Sequence, residues 1–191
     1  SALAANGDAG MAMLVTHISA SAGALAWMTM EWLKFGRPSA LGPITGMVAG
    51  LGTITPASGF VGPGGALIIG LSAGIICYYA TQAIKQKFLI DDSLDVFPVH
   101  GVGGMLGTLF AGICACNQMG IFSGQGYTEG MNMSSQIQVQ MTGIIAAFLY
   151  TAIVTYILLK LVDNLLGLRV DEDEETSGLD VLEYSERGYD I

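Results

Sequence analysis

The chain has 191 residues, of which 52% are hydrophobic and only 12% are charged. A soluble domain carries about 25% charged residues, so this composition excludes an ordinary soluble domain and indicates an integral membrane protein. The net charge of −9 does not contradict this, because nine of the sixteen acidic residues follow position 170. The seven basic residues are too few and too scattered for nucleic-acid binding.

Five apolar stretches follow one another along the chain, at about 9–33, 39–57, 62–86, 95–117 and 134–166. A membrane-crossing helix needs about twenty such residues, so the pattern predicts an all-α membrane protein with five transmembrane helices. The fifth would be roughly 50 Å long and should tilt or protrude from the bilayer. We therefore expect a transmembrane bundle over residues 1–166 and an acidic tail over 167–191.

Basic residues occur only in the connections after the first and third stretches and at or beyond the end of the fifth: Lys34, Arg37, Lys85, Lys87, Lys160, Arg169 and Arg187. Positive charge is retained on the cytoplasmic side, so the first span should start outside and the tail should be cytoplasmic. A first span that starts outside needs an earlier crossing, and the chain lacks an initial Met. We therefore expect this chain to be part of a larger protein.

Glycine pairs with G-x-x-x-G spacing occur once in each of the second, third and fourth spans, at Gly46/Gly50, Gly70/Gly74 and Gly103/Gly107. Small residues at this spacing let helix backbones approach closely in lipid. The pairs predict tight helix packing and carry little functional information.

His100 is the most informative residue, because an ionisable ring within a span is costly and by default a functional hypothesis. The alternative is a neutral ring satisfied by a nearby carbonyl or hydroxyl. Gly101, Gly103 and Gly104 should keep its surroundings open. His17, in the first span, is expected to make only a structural hydrogen bond.

The remaining polar residues are expected to be structural. Asp95 should cap the fourth span, and Glu31 should pair with Lys34 along a helix face. Cys77, Cys114 and Cys116 are expected to be small buried residues without a disulfide. The sequence contains no nucleophile–base arrangement, phosphate-binding loop or metal-ligand constellation that we can identify, so we expect no enzyme activity, cofactor or metal.

The stretch "DDSLDVFPVHGVGGMLGTLFAG" resembles the tenth-helix region of the Amt/Mep/Rh ammonium transporter family, in its Amt branch. The likeness extends to "THISASAGALAWMTMEWLKFGRPSALG", "GMVAGLGTITPASGFVGPGGALIIG" and "GLRVDEDEETSGLD". It implies that the five spans are helices seven to eleven of an eleven-helix bundle. It also implies a homotrimer in the plasma membrane with a cytoplasmic C-terminus.

The resemblance assigns a substrate pathway to four residues. His100 matches the second of two paired pore histidines, Val96 and Val48 match apolar pore-lining positions, and Ser1 matches the serine of an outer recruitment site. Asp95 and Asp92 are implied to support the pore. Because the family places this histidine near mid-membrane, we expect residues 88–95 to dip into the protein, hydrogen-bonded by Asp91 or Asp92.

The same resemblance implies transport: ammonium is recruited, loses its proton, and crosses as ammonia past the histidines. Gly167, Arg169, Gly178 and Asp180 match a regulatory tail that could dock a PII-type signal protein. Two alternatives stay open at this point. The chain could belong to an Amt-type sensor that signals through its tail, or to a non-transporting assembly fragment.

Overall fold

The structure is a computed structural model that describes residues 5–186 of the chain. These residues are all-α, with no strand among them. The helices are α1 Gly7–Phe35, α2 Gly42–Ile54, α3 Pro63–Gln82, α4 Gly103–Cys114, α5 Met133–Leu166, α6 Glu172–Ser177 and α7 Leu179–Tyr184. Two π-helical segments, Ala83–Lys87 and Phe97–Val102, adjoin α3 and α4, and a 3₁₀ turn lies at Gly120–Phe122.

The chain divides into two compact units between Ile144 and Ile145. The first unit contains α1 to α4 and the first turns of α5. The second contains the rest of α5 together with α6 and α7.

Four helical segments are long and apolar enough to cross a membrane, Gly7–Phe35, Pro63–Lys87, Phe97–Cys114 and Met133–Leu166. They match four of the five predicted spans to within three residues at each end. α2 has only 13 residues, roughly 20 Å of helix, and is shorter than the predicted stretch 39–57. Residues 55–60 continue it as turns, and 61–62 are irregular. Such irregular backbone is tolerated at membrane depth where protein buries it, and Ala57 and Val61 are 0% and 2% exposed.

Local signals in the sequence account for the helix ends. The Asn6 side chain accepts hydrogen bonds from the amides of Asp8 and Ala9 and so caps α1. Gly36 ends α1 in the left-handed conformation, at φ 74°. Proline occupies the first turn of both α2 and α3, where its missing N–H costs little.

Close backbone contact among glycines holds α1, α2 and α3 together. A Cβ placed on Gly23 of α1 would overlap the carbonyl oxygen of Gly46, and one on Gly50 would overlap the carbonyl oxygen of Ser19. On α3, Gly70 lies equally close to Ser19. The packing predicted from the G-x-x-x-G pairs is confirmed, and Gly23, which is in none of those pairs, is central to it.

Two buried clusters fill the first unit. One contains Val15, Ile54, Ile69 and Cys114, and the other contains Trp27, Ala49, Cys77, Tyr78 and Val99. Cys77 and Cys114 are buried, as predicted, whereas Cys116 is only partly buried; all three are free thiols. Val99 anchors the Phe97–Val102 segment in the second cluster, which fixes the side of that segment that faces the core.

The connection after α1 is fastened by Glu31. Its carboxylate accepts hydrogen bonds from the Ser39 amide at 2.7 Å and hydroxyl at 3.1 Å, and from the Trp27 indole at 3.3 Å. The prediction that Glu31 pairs with Lys34 is therefore wrong, because the carboxylate bonds to Ser39 and Trp27. The Lys34 ammonium lies 5.6 Å from the centre of the Tyr78 ring, an ordinary cation–π distance.

The second unit contains the tail elements. Gly167, at φ 80°, follows α5. The Arg169 guanidinium contacts both carboxylate oxygens of Glu175 at 3.0 and 3.1 Å. Gly178, at φ 97°, lies between α6 and α7, and Asp180 is in the first turn of α7.

Candidate functional site

The segment that carries His100, Phe97–Val102, is π-helical and runs directly into α4. Pro98 and Val99 are buried against the core, whereas His100 is exposed. Wide π-helical turns are uncommon and occur frequently at functional sites. The anchored Val99 thus turns the next side chain, that of His100, away from the packed interior.

The imidazole ring of His100 has no hydrogen-bond partner among residues 5–186. Across from it lies Gly52 of α2, where a Cβ would stand 3.7 Å from His100 Nδ1 and 3.5 Å from the Val99 carbonyl oxygen. An alanine at position 52 would make ordinary van der Waals contact with the ring, and a longer side chain would occupy the space beside it. The ring is therefore placed beside a bare stretch of helix backbone and is not used to tie helices together.

Val96 and Val48 are each placed near the His100 ring by helical spacing. Val96 precedes His100 by four residues and Val48 precedes Gly52 by four, which is about one helical turn in each case. Val96 is 52% exposed, and Val48 is partly buried beside the cluster that contains Val99. We call Val48, Gly52, Val96 and His100 the His100 face. Three of the four predicted pathway residues are in this group by their spacing along α2 and the His100 segment, and Ser1 lies outside the described residues.

The glycines after His100 differ from one another, contrary to the expectation that all three keep the ring's surroundings open. A Cβ on Gly104 would meet nothing within 4 Å, so this position is open. A Cβ on Gly101 would lie 3.0 Å from the Phe97 ring, and one on Gly103 would lie 2.9 Å from the Thr53 hydroxyl. Gly103 therefore serves helix packing, and only Gly104 extends the open side.

Asp92, and not Asp95, caps this segment. The Asp92 carboxylate accepts hydrogen bonds from the amides of Val96 and Phe97, both at 2.8 Å. The predicted cap at Asp95 is wrong because Asp95 adopts a left-handed conformation, with φ 56°, and its side chain is engaged elsewhere. Its Oδ1 lies 2.8 Å from the Lys85 ammonium.

Residues 88–95 are not buried as expected. Leu89 is 81% exposed and Leu94 is 84% exposed, so the predicted dip into the protein is wrong for the apolar side chains of this connection. The hydrogen-bonding role expected for Asp91 or Asp92 does occur, at Asp92. Within 88–95 only Asp92 and Asp95 are partly buried, and the side chain of Asp95 is 16% exposed.

His17 provides an internal comparison with His100. Its Nδ1 lies 3.1 Å from the Met13 carbonyl oxygen one turn earlier in α1, so the predicted structural hydrogen bond is confirmed. No cluster of three potential metal ligands occurs within residues 5–186.

Sequence reasoning missed two residues of the site. Gly52 gave a usable signal, because it lies four residues after Val48 and is small. Lys85 gave none, since its contact with Asp95 depends on the path of the intervening connection.

Comparison with known proteins places these features in context. The sequence profile of the Ammonium Transporter Family matches residues 1–189. A putative ammonium transporter of Methanothermobacter thermautotrophicus is 44% identical over 191 residues, which are 99% of this chain and 46% of that protein. The ammonium transporter of Aquifex aeolicus is 41% identical over 100% of this chain and 44% of its own length. The chain thus spans about half the length of these relatives.

Solved structures give the same result. A structure described as a sensor Amt protein has a TM-score of 0.84 and 30% identity, covering 94% of this chain and 43% of that one. The crystal structure of Saccharomyces cerevisiae Mep2 has a TM-score of 0.77 and 33% identity, covering 88% of this chain and 39% of that one. Together with the apolar helices, these matches identify a multi-pass membrane protein whose helices fit part of an eleven-helix bundle.

Proposed function

Because the chain belongs to the ammonium transporter family, we propose that it forms one wall of an ammonium-conducting pore with the His100 face as its lining. The observation that carries this proposal is the free ring of His100, which lies beside Gly52 and one turn beyond Val96. A histidine with both ring nitrogens hydrogen-bonded to protein could not also contact a passing substrate. This one keeps both ring nitrogens available.

The chemistry of such a wall follows from the cost of moving charge into an apolar region. A desolvated ammonium ion is heavily penalised there, whereas neutral ammonia is not. Ammonium that loses its proton at the entrance can cross beside Val48 and Val96 and exchange hydrogen bonds with His100. Potassium has no proton to lose and is excluded. The proton would cross separately.

The His100 face is open on one side in this chain, and the chain covers 46% and 44% of two relatives. We infer that the opposite wall, including a second histidine, is supplied by the rest of the polypeptide. Ser1 would contribute to substrate recruitment at the outer entrance. Asp92 and Asp95 would support the start of the pore helix.

The remaining assignments complete the proposal. Residues 1–166 form the transmembrane part and 167–191 a cytoplasmic tail, in a homotrimer at the plasma membrane. Gly167, Arg169, Gly178 and Asp180 belong to a regulatory element that a PII-type protein could bind. The contact between Arg169 and Glu175 gives this element a defined local structure, which supports a binding role.

The test is substitution of His100 in the complete protein that carries this chain, reconstituted in liposomes. His100→Ala should abolish the ammonium-evoked current or its selectivity over potassium. His17→Ala is the matched control, because His17 is also exposed and bonds only within α1. Unchanged current and unchanged selectivity in His100→Ala would remove the ring from the mechanism.

The likeness to a sensor Amt protein favours a second candidate function, ammonium sensing through the tail. The same variant, His100→Ala, distinguishes sensing from transport. A signalling response that persists in His100→Ala while the current is lost would favour the sensor. Loss of both would leave transport as the primary activity.

A further inference from the structure

We propose that Lys85 is a positioning residue for His100, acting through Asp95. This inference rests on the proposed function for its transport readout, but its structural basis is independent of transport. Lys85 lies in the π-helical segment that follows α3, and Asp95 immediately precedes Val96, the cap residue of the His100 segment. The ion pair between them therefore joins the two ends of the α3–α4 connection, residues 88–96.

The Lys85–Asp95 contact differs from an ordinary surface ion pair. The distance from Lys85 Nζ to Asp95 Oδ1 is 2.8 Å, and the side chain of Asp95 is only 16% exposed. Oδ1 is buried and accepts no well-directed hydrogen bond within the described residues, so the charge of the Lys85 ammonium, whose side chain is 38% exposed, is what compensates it. Breaking such a pair on one side leaves a charge that water compensates poorly, so the Asp95 backbone would have to move.

One face of α3 follows the backbone of the His100 segment. Cys77 of α3 precedes Lys85, in the π-helical segment that continues α3, by eight residues, about two turns. A Cβ on Gly103 would lie 3.5 Å from Cys77 Sγ, while Lys85 contacts Asp95. The segment from 95 to 103 is thus held against α3 at both ends, and Val99 is buried beside Cys77 between them. The contacts at Lys85 and at Cys77 therefore set the position of the 95–103 segment along α3.

Of the two contacts, the one at Gly103 cannot move and the one at Asp95 can. Gly103 is fixed by close packing against Thr53 of α2 as well as Cys77. At the other end, the connection contains two non-glycine residues with left-handed backbone, Leu89 at φ 54° and Asp95 at φ 56°. Such conformations persist only where the surroundings enforce them. The ammonium of Lys85 does so at Asp95 and also lies 3.4 Å from the Ser93 carbonyl oxygen.

A shift at Asp95 would be transmitted to His100 because the Asp95 carbonyl oxygen accepts a hydrogen bond at 3.0 Å from the amide of Val99, the residue before His100. A π-helix has hydrogen bonds between residues five apart, whereas an α-helix has them between residues four apart. If the wide turn relaxed to an α-helix, His100 would rotate relative to the anchored Val99. The ring would then leave its place beside Gly52. Lys85 thereby determines where the imidazole points without touching it.

The experiment compares three variants of the complete protein: Lys85→Met, Lys85→Arg and Lys87→Met. Lys87 is the matched control, since it lies in the same π-helical segment and its ammonium is 5.9 Å from the Phe88 ring centre. The first readout is the ¹⁵N spectrum of the His100 imidazole, identified by its absence in His100→Ala. The second is the ammonium-evoked current.

We expect Lys85→Met to shift or broaden the His100 signals and to lower the current about tenfold. Lys85→Arg should retain the wild-type signals and at least half of the current, and Lys87→Met should match wild type in both. Unchanged His100 signals in Lys85→Met, or equal changes in Lys87→Met, would overturn the proposal.

Two further results separate this proposal from its premise. If His100→Ala keeps full current, the transport role fails, but the imidazole spectrum still tests the positioning role. If Lys85→Met does not fold, the exchanged pair Lys85→Asp with Asp95→Lys replaces it. Recovery of the His100 signals in the double variant, absent in either folded single variant, would support the pair, and no recovery would overturn it.

Discussion

Two neighbouring regions of the first unit are held together by opposite means. Where α1, α2 and α3 cross, backbone meets backbone at Gly23, Gly50 and Gly70, with no charged side chain involved. In the α3–α4 connection, by contrast, Asp92 and Asp95 bind amides and an ammonium group, and much of the apolar surface is exposed. We call the first region, the crossing of α1, α2 and α3 at Gly23, Gly50 and Gly70, the frame; its close contacts leave little room for movement. The second leads directly into the segment that carries His100, whose orientation we propose it determines.

The largest effect that tests this contrast should come from the frame. Gly23→Ala places a Cβ against the Gly46 carbonyl oxygen and 3.1 Å from Gly50 Cα, and neither backbone can move without separating the helices. Overpacking of this kind costs about 3 kcal/mol. We expect a marked loss of folded protein, measured by size-exclusion chromatography in detergent and by Tm.

Gly10→Ala is the control for the frame, because it lies in the same helix and its Cβ would meet nothing within 4 Å. It should fold as wild type does, or slightly better, since alanine is the stronger helix former. Equal behaviour of the two variants would mean that the crossing is not tightly packed.

A smaller effect is expected in the connection. Asp92→Ala removes the acceptor for the amides of Val96 and Phe97, and hydrogen bonds to a charged group are worth about 1.5 kcal/mol or more. Hydrogen exchange at these two amides should accelerate roughly tenfold, while amides in α3 stay protected. Asp92→Asn keeps one acceptor oxygen and should give an intermediate rate. Unaltered exchange in Asp92→Ala would contradict the capping role.

The smallest expected effect lies outside both regions, at Tyr127. Its hydroxyl donates to the carbonyl oxygens of Gly112 and Ile113, at 2.8 and 3.3 Å, and such a bond is worth about 1 kcal/mol. Burial raises the pKa of this phenol. Its contribution is therefore complete below the pKa of the unfolded chain and is lost as pH rises through the folded pKa.

Tyr127→Phe should lower the free energy of unfolding near neutral pH and weaken its decline at alkaline pH. Tyr150→Phe serves for comparison, because Tyr150 is 70% exposed and its removal should change neither. A decline of the same steepness in wild type and Tyr127→Phe would assign the alkaline loss to other groups.

The frame could be predicted from sequence, and the connection largely could not. Apolar length gave the spans, and G-x-x-x-G spacing gave the contacts of Gly50 and Gly70, because both signals are local and periodic. Gly23 was overlooked since its partner across one turn, Ser19, is small without being glycine. A search for small residues of any kind at that spacing would have found it.

In the connection, the identity of the residues was right and their roles were exchanged. Asp95 has the sequence position of a cap, but its left-handed backbone and the ammonium of Lys85 draw its side chain away, and Asp92 takes its place. The π-helical turn at Phe97–Val102 has no sequence rule of comparable strength. Family likeness, and not periodicity, singled out Val48 and Val96.

The two connections without basic residues, 55–62 and 115–132, are fastened to one another through main-chain atoms. The Gln125 amide donates to the Phe60 carbonyl oxygen at 2.9 Å, and Gly124 lies so close to Phe60 and Cys114 that no side chain fits there. Main-chain contacts of this kind do not depend on most side chains. The exposed residues of these two loops can therefore be substituted without breaking the contact between them, provided that position 124 remains glycine.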